Sequence, residues 1–281
     1  MQKTLTTLLL FLVHSYSFIL PNSLSTFKNF IQSPYMSCQE YLKNTINTEN
    51  VNNFKEHYEK TANPLRRILV QGGSLKTWSF QSPMVEQVQL TLTSDGRPID
   101  SDIELWHGPD NTPSKMRIYT ENALERPFTT VFEMPRGPNT IAIKNIGQIE
   151  FPISSYVTTE NIINLSPDSY SHGSIIQGGA LKTYPFNHFV ESVEVYLKTD
   201  GRPLNARIEL LQGPNNNKQV IELYNEDGAD RPFFCILETH GPGNVIRIIN
   251  TAPIEFPMFA SVQPHSISNN RSSKPFVSNN F

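Results

Sequence analysis

Cysteine is nearly missing from this chain: two occur in 281 residues, Cys38 and Cys235. Neither repeat carries a cysteine pair of its own, so neither a disulfide framework nor a cysteine-based zinc site is expected. Excess charge is absent as well, with 23 Lys and Arg against 26 Asp and Glu and a net charge of −3. That leaves no basic footprint for nucleic acid. Arg66 and Arg67 form the one basic doublet, so a membrane surface has little to attract. No apolar run after the first residues approaches membrane length, so no membrane insertion is expected of the mature chain. Catalytic signatures are lacking too: there is no Gly-x-Ser-x-Gly elbow, phosphate-binding Gly-rich loop or dinucleotide fingerprint. His57, His107, His172, His188, His240 and His265 show no metal-ligand spacing, and none recurs at an equivalent position. No enzyme, metal site or cofactor is expected.

What is present is present twice. Gln71-Gly72-Gly73-Ser74-Leu75-Lys76-Thr77-Trp78 returns as Gln177-Gly178-Gly179-Ala180-Leu181-Lys182-Thr183-Tyr184. Asp95-Gly96-Arg97-Pro98 returns as Asp200-Gly201-Arg202-Pro203, and Arg126-Pro127-Phe128 as Arg231-Pro232-Phe233. Ile149-Glu150-Phe151-Pro152 returns as Ile254-Glu255-Phe256-Pro257. The offset is about 105 residues, long enough for a whole domain and too long for a solenoid turn. The chain is a built-in dimer.

The first residues read as an address. Lys3 and the apolar run Leu5 to Val13 lead to small residues at Ser15-Tyr16-Ser17, which marks residues 1–17 as a signal peptide. Residues 18–37 start with Phe18, are rich in hydroxyls and hold no acid, which is transit-peptide composition. Such a two-part leader resembles those that enter the complex plastids of diatoms and related algae. Ordinary secretion is the alternative, and the sequons at Asn164 and Asn270 fit it.

Within each repeat the hydrophobic period is two. Val88-Gln89-Leu90-Thr91-Leu92 and Val193-Glu194-Val195-Tyr196-Leu197 alternate as half-buried strands do, and Gly, Pro and Asn punctuate them. Seven or eight short strands per copy predict an all-β chain: a tandem repeat of two antiparallel β-sandwich domains with a pseudo-two-fold relationship. The predicted order is a polar, partly helical N-terminal segment over 38–66, repeat 1 over 67–157 and a linker over 158–173. Repeat 2 over 174–262 and a disordered Ser/Asn-rich tail over 263–281 complete it. The two glycines of each Gln-Gly-Gly run read as a tight turn.

The duplicated polar residues are where a site would lie. Glu104/Glu209 and Glu150/Glu255 alternate with apolar neighbours, so they are expected on the wet face of a sheet, merely solvated. Arg97/Arg202 and Arg126/Arg231 each precede a proline at a strand boundary, where a guanidinium fork can clamp a loop or contact another subunit. Trp78/Tyr184 keeps a large ring in both copies, whereas Trp106 becomes Leu211; a ring that can become leucine fits core or interface better than sugar stacking. These six, Arg97, Arg202, Arg126, Arg231, Trp78 and Tyr184, are the structural or assembly candidates. Cys235, in Phe233-Phe234-Cys235-Ile236-Leu237, reads as a small buried residue, with Val131 or a neighbour as its counterpart. One reaction needs one copy, whereas two copies present similar surfaces in two orientations, as assembly requires.

The run Thr-Ser-Asp-Gly-Arg-Pro-Ile-Asp-Ser-Asp-Ile-Glu-Leu-Trp-His-Gly-Pro-Asp-Asn from Thr93 to Asn111 carries a resemblance. With Arg126-Pro127-Phe128, Arg136-Gly137-Pro138-Asn139 and Ile149-Glu150-Phe151-Pro152, it resembles the pyrenoid shell (PyShell) proteins of diatoms and related algae, over about residues 68–262. The resemblance implies a non-enzymatic protein of the plastid stroma at the pyrenoid periphery. It implies assembly with itself into a sheet-like, two-dimensional layer around the Rubisco-filled pyrenoid, supporting carbon concentration. Rubisco or a pyrenoid matrix protein is the further partner expected, and no catalytic residue transfers. The second repeat departs from the pattern at Leu211, Asn215 and His240, so the copies need not make identical contacts. The alternative is a plastid or secreted β-sandwich binding module for a glycan or a photosynthetic-complex subunit.

Overall fold

The computed structural model describes residues 67–214 and 216–268. The leader, the polar segment over 38–66 and the tail beyond residue 268 lie outside the described residues. Repeat 1 forms β1 (Ile68–Val70), β2 (Leu75–Phe80), β3 (Gln87–Thr93), β4 (Ile99–His107), β5 (Asn111–Thr120), β6 (Phe128–Glu133), β7 (Asn139–Asn145) and β8 (Ile153–Thr158). After the short helix α1 (Pro167–Ser171), repeat 2 forms β9 (Ser174–Ile176), β10 (Leu181–Pro185), β11 (Val190–Lys198), β12 (Leu204–Gln212), β13 (Asn217–Asn225), β14 (Phe233–Glu238), β15 (Asn244–Asn250) and β16 (Met258–Ile267). Every strand of the first copy has its counterpart in the second.

Each repeat is a sandwich of four strands on four, and the two repeats join edge to edge. One eight-stranded sheet runs β1-β8-β3-β6-β14-β11-β16-β9, the other β10-β15-β12-β13-β5-β4-β7-β2, all antiparallel. Read from the seam outward, each sheet repeats its own strand order in reverse, which is a pseudo-two-fold relationship. The register places the dyad between residues of equal rank: Thr130 pairs with Cys235, and Arg117 with Glu222. Glu121 N donates to Lys218 O at 2.9 Å and Glu226 N to Pro113 O at 2.8 Å, a mirrored pair of bonds across the seam.

The period-two pattern fills one continuous core. Val88, Leu90 and Leu92 from β3, Ile103 and Leu105 from β4 and Phe128 from β6 point inward with no exposure. Val193, Val195, Leu197, Ile208, Leu210, Ile246 and Ile248 do the same in repeat 2, and all belong to one apolar cluster spanning both copies. Burying an aliphatic side chain of this size stabilises by about 1.5–3 kcal/mol, so this layer is the main source of cohesion. The set of residues facing it is legible in the alternation; the joining of the copies comes from backbone ladders at β5–β13 and β6–β14.

Two boundaries shift. The tail begins later than expected: β16 continues through Ile267, its residues 262–267 pairing with β11, because ladder bonds need no apolar side chain. The linker over 158–173 is also a packed strap. Ile162, Ile163 and Leu165 lie on a cluster of Val131, Tyr196, Phe234 and Ile236 on the outer face of the β11-containing sheet. Two residues of equal rank hold it: Gln89 Oε1 accepts from Ile163 N at 2.9 Å, and Glu194 accepts from Ser166 N at 3.3 Å. The strap therefore crosses the pseudo-dyad and makes one outer face unlike the other.

Candidate functional site

Each pair of candidate arginines has a definite setting. Arg97 reaches Asp95 at 3.8 Å and lies 5.1 Å from the centre of the Phe151 ring. Arg202 repeats this with Asp200 at 3.6 Å and Phe256 at 5.5 Å, and adds a 2.5 Å bond to Glu255 O. Thus Asp-Gly-Arg-Pro and Ile-Glu-Phe-Pro, separate motifs in sequence, are one contact in space. Both guanidinium groups remain about half exposed, so each pins a loop and still meets solvent.

Arg126 behaves differently. It is 5% exposed and crosses the seam: Nη2 donates to Gln212 Oε1 at 3.1 Å and to His240 O at 3.4 Å, while Nη1 pairs with Glu125 at 3.3 Å. Arg231 stays nearer home, 4.0 Å from Glu226. The difference follows from the second copy's His240 and Gln212, which stand where the first copy has Arg136 and His107.

The Gln-Gly-Gly runs are turns, as the sequence predicts. Ser74 N donates to Gln71 O and Ala180 N to Gln177 O, each at 3.0 Å. The first glycine of each run lies against the β7–β8 or β15–β16 loop. A Cβ on Gly72 would sit 1.9 Å from Gln148 O, and one on Gly178 1.7 Å from Pro253 O. Buried Asn145 completes the knot by donating to Val70 O at 3.0 Å and Phe151 O at 2.8 Å, and Asn250 does the same to Ile176 O and Phe256 O. The two asparagines hold equal rank in the repeats, and nothing in their sequence spacing announces the clamp.

Trp78 and Tyr184 lie on β2 and β10 and pack half-buried against the core. Burial pushes the Tyr184 hydroxyl above its ordinary range, opposed by its 3.3 Å bond to Ser174 Oγ. Neither ring is a free stacking platform. Glu209, expected to be solvated, is instead 6% exposed beneath Arg207 at 2.7 Å and Arg247 at 2.8 Å. Its own hydrogen bond is the largest influence pushing the Arg207 guanidinium upward. Arg247 stands where repeat 1 has Ala142, a substitution the alternation pattern does not register. Glu104 is half-buried and accepts from Trp106 Nε1 at 2.7 Å. Among the described residues no group of three or more His, Cys, Asp or Glu is arranged to hold a metal ion.

The candidate residues therefore do not converge on one pocket. They fall at the seam (Arg126), beside Glu226 within repeat 2 (Arg231), at the loop clamps (Arg97, Arg202) and on the two outermost strands of one sheet (Trp78, Tyr184). Near those outer edges, large apolar side chains stand exposed in matching pairs: Leu75 and Leu181 at 49% and 59%, Ile149 and Ile254 at 74% and 77%.

A family model described as diatom pyrenoid shell protein matches residues 59–264. The chain belongs to that family. The match takes in both repeats, the strap and the seam, so membership attaches to the whole joined sandwich. No curated protein matches the chain. Among solved structures, the chain is similar to YhhW from Escherichia coli at 10% identity, covering 68% of this chain and 82% of that one, with a TM-score of 0.20. It is similar to the 11S allergen from Cocos nucifera at 6% identity, covering 74% and 84%, with a TM-score of 0.18.

Proposed function

We propose that this protein is a non-enzymatic brick of the pyrenoid shell, whose copies assemble into a sheet-like layer around the Rubisco-filled pyrenoid. The layer lies in the plastid stroma at the pyrenoid periphery and supports CO2 concentration and fixation there. Its inner surface meets Rubisco or a pyrenoid matrix protein. The observation that carries this reading is the family match across the entire joined sandwich. The structure is compatible with it in physical terms: conserved effort within the chain, in the sense of what both copies repeat, goes into loop clamps and exposed apolar pairs. An outer face that carries the strap, among the described residues, suits a layer with distinct sides.

The test is direct. Purified mature protein should form sheets or tubes in negative-stain images, and a fluorescently tagged copy should outline the pyrenoid. A solitary particle at high concentration, or a tag spread evenly through the cell, overturns the proposal. A monomer that retains a soluble glycan on a column supports the binding-module alternative instead.

A further inference from the structure

We infer that the two ends of the sandwich join copies of this chain end to end, through Leu75 and Ile149 at one end and Leu181 and Ile254 at the other. This rests on the assembly reading above and adds to it the surface of contact.

The first support is position. β1 and β2 close one end of the two sheets and β9 and β10 the other, with the remaining strands between them. A contact made at one end leaves the other free, and contacts of that kind extend into rows rather than closing. The second support is chemistry. Ile149 and Ile254 are more than 70% exposed in loops, where no folding requirement keeps an isoleucine; the β-branched chain disfavours such loops. That both copies carry it, with Leu75 and Leu181 on the neighbouring edge strands, points to burial against something outside the described residues.

Charge identifies that partner as a second copy. Lys76 adjoins Leu75 and Glu150 adjoins Ile149, all exposed, and Lys182 and Glu255 repeat the arrangement. Each end thus offers one cation and one anion around its apolar pair. Another end of the same kind supplies the opposite sign to each, which a partner of single charge does not. The joint also continues an existing interface, because the seam at β5–β13 and β6–β14 already extends these same sheets edge to edge. It differs from the seam in one respect. The lysines on both free edges, and Pro185 with no backbone donor on β10, oppose direct strand pairing, so the outer joint is side chain on side chain.

The experiment compares wild-type mature protein with Ile149→Glu, Ile254→Glu and the double variant by sedimentation and negative stain. Thermal unfolding confirms that these exposed substitutions leave the fold intact. The double variant should lose pelletable assemblies and remain as single particles with an unchanged melting temperature. A one-ended variant arrested as dimers supports a joint between like ends, and one arrested as single particles supports a joint between unlike ends. A folded double variant that assembles like the wild type overturns the inference and leaves the shell reading standing. Retained assembly, with residues 38–66 cross-linking to these ends within one chain, overturns it by assigning the patches to the chain's own flank. Failure of the wild type to assemble overturns both.

Discussion

Thr130 and Cys235 hold the same rank in their repeats and face each other in the β6–β14 ladder, both buried. Thr130 Oγ1 donates to Phe234 O at 2.7 Å, so the hydroxyl is spent on the seam, while Cys235 packs into the apolar core cluster. The pseudo-dyad therefore passes through a polar residue on one side and a soft apolar one on the other. A position on a symmetry axis cannot serve both copies identically once the sequences diverge.

Burial pushes the Cys235 thiol far above its ordinary range, and the thiolate is the reactive form. In a Cys38→Ser background, Cys235 should resist a thiol reagent in native buffer and react with one equivalent after denaturation. Prompt labelling of the folded protein would mean that the seam opens readily.

The two glycines of each turn should differ in what they tolerate. Gly72→Ala drives a methyl into the carbonyl of Gln148, which can move only with its loop, so we expect a loss of about 3 kcal/mol or more. Gly73 has φ of +74° and nothing within 4 Å, so Gly73→Ala meets backbone strain alone, about 1–2 kcal/mol. Urea unfolding separates them. Equal losses would show that the β7–β8 loop yields.

Much of this fold was written in the alternation of apolar residues. Val88, Leu90 and Leu92 announced an inward face, and the duplicated turns announced where strands end. The seam was not legible, because Met116 and Ile118 on β5 bury the same inner face whether their strand is at an edge or inside a sheet. Contact between Arg97 and Phe151 was hidden for another reason: each motif is complete by itself, and only the fold brings them together. The strap did carry a signal, since Ile162, Ile163 and Leu165 are apolar residues in an otherwise polar connection. The ladder beyond Val262 carried none, since Gln263, His265 and Ser266 are polar and Pro264 argues against a strand.

The arginine pairs should separate by burial. Arg126→Ala removes a buried guanidinium and its two bonds across the seam, to Gln212 Oε1 and His240 O, for an expected loss of about 1.5–3 kcal/mol. Arg97→Ala removes an exposed ion pair and one ring contact, worth about 0.5–1 kcal/mol in solvent. The Arg97→Ala/Arg202→Ala protein should therefore melt a few degrees lower, and Arg126→Ala lower than either single variant. Matching melting temperatures for Arg126→Ala and wild type would remove the guanidinium from the account of the seam.

Stability should also depend on pH through Glu133. Burial pushes its carboxyl above the ordinary 4.5, Glu86 adds to the shift, and the 2.7 Å bond from Gln87 Nε2 opposes it. The folded protein thus holds this proton more tightly than the unfolded chain does. Its contribution to stability is full below pH 4.5 and is lost as pH rises through the folded value. At neutral pH the charged form is a burden, and Glu133→Gln keeps an acceptor for Gln87 without the charge. That variant should resist urea better than wild type at pH 7.5, with the advantage shrinking as pH falls through the raised folded value and gone below pH 4.5. Glu238, of equal rank in repeat 2, is shifted upward by burial as well, but His240 and His265 pull it back, so Glu133 gives the cleaner readout. An advantage that stays constant across the acid range, or reverses, would show that hydrogen bonding and not desolvation governs this carboxyl.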